Sequence, residues 1–393
     1  MERAASRLGL RPQWRPLAGV GGAASVWACT LLNGAGAPVP DGVGVGKGNN
    51  AAAARERALG EALERLVTGP MSLAPGAVLL CRADRLAAGA LATDASAPLL
   101  TALGGTKLAC HVYQGLNEPQ REARIPLYLG APWYAGPEGQ KLRDAVGDRA
   151  DYQALSRYSV NSGYGLAPSD RDATVHALLE TIERDSCSLT TIHTLLAGRP
   201  PTVFDVRSLP GDLTALHHTA EQEAEGVVHL VDATSDLGVP TVLAYRPPQP
   251  TGGGYLRGQA AGLSMRQAVT GALLELLESA LVRRRTPPEP VQLGLLEPYP
   301  ALHRCAVFDL TGPLRRARRA RFEDALPAQE PEEPLDALLA CLAQHDLSAY
   351  RRTVAAMPEG VCAVHVVVPG LERFFAVVKG ALVVPGPRGT TLT

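Results

Sequence analysis

One short pattern occurs three times in this chain, and it constrains the fold more than any other feature. Ala58-Leu59-Gly60-Glu61-Ala62-Leu63-Glu64-Arg65, Ala177-Leu178-Leu179-Glu180-Thr181-Ile182-Glu183-Arg184 and Ala272-Leu273-Leu274-Glu275-Leu276-Leu277-Glu278-Ser279 all read Ala-Leu-x-Glu-x-x-Glu. Residues three apart project from the same side of a helix. Each copy therefore aims two carboxylates in one direction. On a wheel of about 100° per residue, Ala58, Leu59, Ala62, Leu63 and Leu66 form an apolar stripe, with Glu61, Glu64 and Arg65 opposite. Taken singly, such a helix reads as amphipathic with a solvated acidic face. The shared register argues for more. So do Leu179 and Leu274 at the place of Gly60, which narrow the polar face to a notch. Carboxylates in a notch need a partner, either an arginine such as Arg65 or Arg184 or a hard cation such as Mg2+.

Composition removes several alternatives. At 393 residues, 46% hydrophobic and 20% charged, the chain can bury a sizeable core in one large or two ordinary domains. A net charge of -1 gives no electrostatic case for nucleic acid or an anionic membrane. No apolar run is long enough to span a bilayer, and the N-terminus does not read as a signal peptide. The 7 cysteines are scattered without a Cys-x-x-Cys pair, so a reducing cytoplasm is expected and a structural zinc site is not. Cys187 reads as a buried structural thiol, and His217-His218 as surface. No Glu is followed three residues later by His, which sets aside a di-iron bundle.

The expected architecture is α+β, a mixed α/β arrangement of strands and long helices. The three pattern-bearing helices are expected near residues 51–67, 170–186 and 264–282, the second capped by Ser169 or Asp170. Strands are expected at Ala24–Leu32, Val78–Cys81, Leu108–Tyr113, Val227–Asp232, Thr241–Tyr245, Cys305–Leu310, Val364–Val368 and Ala381–Val384. Tyr158–Ala167 reads as a small-residue loop, Arg315–Arg319 as a solvated helix face, Gln329–Pro334 as an acidic connector and Leu335–His345 as a helix. Gly42–Asn50 reads as a glycine-rich loop. With Lys47 it suggests a phosphate cradle at a helix start, although it lacks the Gly-x-x-x-x-Gly-Lys-Ser/Thr spacing.

These segments resemble the signatures of YcaO-domain proteins. Gly46-Lys47-Gly48 with Ala58–Arg65 is similar to the first signature. Gly165-Leu166-Ala167 with Ala173 through Glu180-Thr181-Ile182-Glu183-Arg184-Asp185 is similar to the second. Asp236–Pro240 and Gln267–Glu278 resemble the third region, and Val368–Glu372 with Pro385–Arg388 the C-terminal end. The resemblance implies a single large YcaO-type domain over residues 21–393, behind an extension of residues 1–20. It implies an enzyme that uses ATP and Mg2+ to phosphorylate a peptide backbone carbonyl oxygen, giving an azoline, a thioamide or an amidine. Carried over residue by residue, Glu61, Glu64, Glu180 and Glu183 would hold Mg2+ or ATP, and Arg184 would contact phosphate. Lys47, Asp172, Glu275 and Glu278 would complete the site.

The chain departs from the family at three places. Asp172 stands for a glutamate. Ala280 stands for an arginine, whose place Arg283, Arg284 or Arg285 would have to take. The C-terminal Pro385-Gly386-Pro387 only partly matches Pro-x-Pro-x-Pro. A degenerate, non-catalytic docking subunit is therefore a second expectation. The implied partners are a precursor peptide, a separate leader-peptide-binding or sulfur-transfer protein, since no further domain precedes the matching region, and a second copy of the chain.

Overall fold

In the computed structural model, which describes residues 1–17, 24–73, 75–249, 254–286, 289–324 and 333–391, the three copies of the pattern are built the same way. They lie in α1 (Ala51–Thr68), α2 (Asp170–Thr191) and α3 (Met265–Arg285). Each helix begins at a side-chain cap. Asn50 accepts from the Ala53 N–H, Ser169 from Asp172 and Ser264 from Gln267. The alanine of each pattern stands eight positions after its cap, from 50 to 58, 169 to 177 and 264 to 272. Each helix therefore presents its carboxylates at the same height above its N-terminus.

Those alanines have a packing reason. Each helix lies against a strand at a glycine, so closely that no side chain fits between. A Cβ on Gly46 would sit 2.1 Å from the Ala54 carbonyl oxygen and from the Ala58 nitrogen, and one on Gly44 would sit 2.3 Å from the Ala58 oxygen. Gly165 meets Ala173 and Ala177 in the same way, at 2.1 and 2.9 Å, and Gly258 meets Leu276 and Ala272 at 2.1 and 2.2 Å. Leu59, Leu63, Leu178, Leu273 and Leu276 are fully buried beside these contacts, each worth about 1.5–3 kcal/mol relative to exposure.

The strands form three sheets. β1 (Arg11–Pro16), β2 (Ser25–Leu32) and β3 (Pro38–Gly48) make an antiparallel sheet that carries α1. β4 (Leu79–Arg82), β5 (Lys107–Gly115), β6 (Glu122–Pro126) and β7 (Tyr164–Ala167) follow. β8 (Thr202–Asp205), β9 (His229–Asp232), β10 (Thr241–Arg246), β11 (Leu256–Ala261) and β12 (Arg318–Arg321) form a second sheet in the order β11-β10-β9-β8-β12, with β12 parallel to β8. β13 (Tyr350–Ala356) and β14 (Cys362–Val367) complete the third, in the order β4-β5-β13-β14-β7 with β6 on β5. Thus β3, β7 and β11, one from each sheet, each seat one of the three helices. Among the described residues no helix is long and apolar enough to cross a membrane.

Several expectations change. Gly42–Gly48 is a strand, not a loop. Its alternating glycines face α1 because period-two spacing puts them on one side. The end of the 158–167 segment is likewise strand β7. Cys305–Leu310 contains no strand; Pro300–Val307 is a helix with proline at its first turn. Arg318–Arg321 is a strand because it pairs with β8. Ala381–Val384 makes no strand. His217 is buried, its Nε2 2.8 Å from the Val228 oxygen, while His218 is exposed. Residues 1–20, expected as an extension, contain a helix at Glu2–Arg7 with buried Ala4 and Ala5, and the edge strand β1. Of the acidic connector, residues 329–332 lie outside the described residues.

Candidate functional site

The first two carboxylate pairs meet. Glu61 accepts from the Val45 N–H at 2.8 Å and pairs with Arg65 one turn on. Glu180 accepts from the Gly163 N–H at 3.1 Å and pairs with Arg184 at 3.3 Å. Glu183 lies 3.1 Å from Arg184 and accepts from Gln259 on β11 at 2.8 Å. Strands β3 and β11 and the turn ahead of β7 thus each supply a donor that orients one carboxylate.

Burial and mutual repulsion both act on these groups. Burial pushes the Glu64 carboxyl up to about 8, and the Glu180 and Glu61 carboxylates add to it. Burial also pushes Glu183 up to about 8. Arg184 opposes this, and Glu275 and Glu180 reinforce it. For Arg184, burial works against the charge, but Glu183 and Glu180 outweigh it and hold the guanidinium protonated. Burial is the larger cause in both, and the neighbouring guanidinium groups do not offset it.

The third pair has a different fate. Lys47, on β3, reaches Glu278 at 2.9 Å and Glu275 at 3.8 Å. Burial opposes the Lys47 charge, yet the two carboxylates raise its pKa. Lys47 is therefore an ion-pair partner that ties the first sheet to α3, and it extends from a strand instead of a glycine loop. Asp172 is not brought to the cluster. Its carboxylate accepts from the Ser169 hydroxyl at 2.6 Å, at the exposed start of α2, two turns away from Glu180. No arginine of α3 replaces the one missing at buried Ala280. Arg283 donates to the Tyr255 oxygen, Arg284 pairs with Glu223, and Arg285 donates to the Leu17 oxygen.

Four other signature residues form a clamp. Asp185 accepts from Arg388 Nε at 2.8 Å, and Arg388 also pairs with Asp236. Glu372 accepts from the N–H groups of Gly386 at 2.8 Å and Gly389 at 3.0 Å. The C-terminal segment is thereby fixed beside α2. Cys187 is buried, as expected, and burial raises its thiol pKa.

The hard oxygen donors suit Mg2+, and the raised carboxyl pKa values are relieved by added positive charge. Among the described residues, no group of three His, Cys, Asp or Glu side chains is already drawn together tightly enough to hold a metal ion.

The sequence reading missed the neighbours of this cluster. Gln259 orients Glu183, and Arg257 follows on the same face of β11. Arg257 stacks over Phe375 at 4.3 Å. An isolated arginine on a short strand carries no sequence signal, so only the placement of β11 beside α2 reveals it.

A model of the family described as YcaO cyclodehydratase, ATP- and Mg2+-binding, matches residues 141–372. Structures of similar fold include YcaO from Methanopyrus kandleri bound with AMPPCP and Mg2+, at 18% identity and a TM-score of 0.65, covering 98% of this chain and 92% of that one. A heterocyclase in complex with substrate and cofactor matches at 14% identity and a TM-score of 0.65, covering 94% of this chain and 52% of that chain. An E. coli microcin synthetase complex, McbBCD with pro-MccB17 bound, contains a chain matched at 14% identity and a TM-score of 0.58, covering 92% of this chain and 91% of that one. No curated protein sequence matches.

Proposed function

The chain belongs to the YcaO family, an ATP- and Mg2+-binding cyclodehydratase family, and from that premise we propose that it modifies a precursor peptide by activating a backbone amide. The observation that carries this reading is the junction of Glu61, Glu64, Glu180 and Glu183 beside Arg184, with two carboxyls pushed up to about 8 by burial and by their acidic neighbours. When bound, ATP supplies the phosphoryl group that turns a backbone carbonyl oxygen into a leaving group. Glu64, Glu61 and Glu180 would hold Mg2+, and Arg184 would neutralise charge developing on the phosphates. Gln259 fixes the Glu183 carboxylate, and Glu183 in turn holds Arg184 in place. The chain's part is positioning and charge neutralisation, as in other phosphoryl transfers.

Cyclodehydration is the reaction we favour. The hydroxyl or thiol of a Ser, Thr or Cys side chain adds to the activated carbonyl carbon, phosphate leaves with the former carbonyl oxygen, and an azoline results. A thioamide would need a sulfur donor as the nucleophile. A peptide-recognising partner protein is part of the proposal, supported by the multi-protein complex among the matched folds. The test is phosphate release in the presence of Mg2+, ATP and precursor peptide. Glu61→Ala and Glu183→Ala should each abolish it, and unchanged release in both overturns the reading. Mass spectrometry of the product separates the chemistries. Loss of one water marks an azoline, and oxygen-to-sulfur exchange marks a thioamide.

One observation favours a second reading, a non-catalytic docking subunit. Lys47 already pairs with Glu278 and Glu275, and no α3 arginine reaches the site. Absence of Mg2+-dependent ATP binding, measured by calorimetry, would decide for it.

A further inference from the structure

Next to the carboxylates lies a cavity of about 260 Å3 whose wall carries cations. Arg184, Arg257 and Lys379 line it, with Phe375, Ser188 and His365. Arg184 belongs to the carboxylate cluster already described. Arg373, also in the lining, pairs with Asp94 at 2.9 Å, and the lining carboxylate of Glu372 accepts from the Gly386 and Gly389 N–H groups, which leaves Arg257 and Lys379. Arg257 forms no ion pair with a carboxylate among the described residues, and its Nη1 is sealed from solvent without a hydrogen-bond partner. Its guanidinium lies 4.3 Å from the centre of the Phe375 ring, and the Arg184 guanidinium lies 5.7 Å from the same ring. Two like charges are therefore held on one aromatic side chain, facing one cavity.

A desolvated guanidinium without a partner is unfavourable, and a second cation beside it makes it more so. The Arg257 pKa is lowered by burial and by Arg184. That of Lys379 is lowered by burial and by both arginines. An anion in the cavity would remove both penalties. The shape of the group matters as well. A planar fork of N–H donors suits two oxygens of a tetrahedral oxyanion, and an ammonium supplies a third contact. Fixing Arg257 over a ring leaves its donors pre-aimed.

We propose that Arg257 and Lys379 bind a phosphoryl oxyanion in this cavity, with Arg257 as the residue that positions it against Arg184. The inference rests on the nucleotide reading above for one of its two sources, the terminal phosphate of a bound nucleotide. The other source is free orthophosphate. His365 contributes no charge here, because burial and Arg352 hold its imidazole neutral down to about pH 3. His365 also shares its ring nitrogens with Tyr113 at 2.6 Å and the Ser162 oxygen at 3.0 Å.

The experiment is calorimetric titration of the full chain with AMPPNP–Mg2+, ADP–Mg2+ and orthophosphate. Wild type is compared with Arg257→Met, Arg257→Lys and Lys379→Ala, and melting temperature serves as a control for folding. We expect Arg257→Met to lose at least tenfold in AMPPNP affinity with less than twofold change for ADP, and Arg257→Lys to recover part of it. That outcome assigns the terminal nucleotide phosphate. Loss of orthophosphate binding alone assigns the free anion and equally supports the site. Unchanged affinity for all three ligands in a folded Arg257→Met overturns the proposal. Should that variant fail to fold, Lys379→Ala takes its place, with a threefold or greater loss expected and no change overturning it. If wild type binds orthophosphate but no nucleotide, the nucleotide reading fails while the anion site stands. If it binds none of the three, both fail.

Discussion

The first and third carboxylate pairs start from one sequence pattern and meet different partners. Glu61 and Glu64 face Glu180 across the junction of α1 and α2, and Glu64 is pushed up to about 8. Glu275 and Glu278 sit at the same distances from their helix cap, yet Lys47 lies 2.9 Å from Glu278. The difference comes from what stands opposite. What α3 has opposite it, and α1 lacks, is a lysine on the facing strand, although Glu275 still acts on Glu183 and Glu61 on Glu278. The same helical pattern thus meets a lysine from another element in one place and other carboxylates in another.

Four predictions would break or sharpen that contrast. The largest concerns activity. Glu183→Gln should lower substrate-dependent phosphate release by about 10²–10³-fold, the range for removing one preorganised electrostatic group. Glu278→Gln should cost at least tenfold less. Equal losses, compared in one phosphate-release assay, would show that the third pair is not spoken for by Lys47.

Stability should respond in the reverse sense. Lys47→Met leaves two half-buried carboxylates without their cation and should cost about 1–3 kcal/mol in urea unfolding at pH 8. Added Mg2+ should recover part of that loss, since the variant turns the third pair into a second acidic cluster. No destabilisation would mean that the ion pair is incidental.

A smaller effect follows from pH. Glu64 and Glu183 are raised from 4.5 to about 8, so the folded chain holds more protons than the unfolded one between those values. Their contribution is complete below about pH 4.5 and fades as pH rises through 8, so without Mg2+ stability should fall across this window. Saturating Mg2+ should flatten the profile, and Glu64→Gln should remove part of the slope. Thermal melts at pH 6 and 8 check this, and a profile that rises with pH would refute it.

The smallest effect belongs to Asp172. Asp172→Asn keeps the helix start and removes a carboxylate that the structure leaves at the cap, so nucleotide affinity should stay within twofold. Stability should change by no more than about 1 kcal/mol. A larger drop in Mg2+–nucleotide affinity, read by calorimetry, would return Asp172 to the site.

Much of the scaffold was legible because long helices announce themselves through periodicity and caps. Asn50, Ser169 and Ser264 each precede a helix, and the three apolar stripes are buried as their spacing requires. The misreadings share one cause. Gly44, Gly46 and Gly48 look like a flexible loop when glycine is taken only as freedom, although their spacing of two was a strand signal. Glycine is required there because the backbones of α1 and β3 nearly touch. Cys305–Leu310 looked like a strand because a short apolar run cannot distinguish the two periods, and Pro300 at the first helical turn was the better clue.

By itself, then, the sequence determined three helices, a cap for the second and six carboxylates in one register, because period and capping are local properties. Which carboxylates meet each other and which meet Lys47 was decided only by the tertiary structure. So was the placement of Arg257 and Phe375 beside Arg184, because charge compensation depends on which strand each helix lands on, and that is set by contacts far apart in the chain.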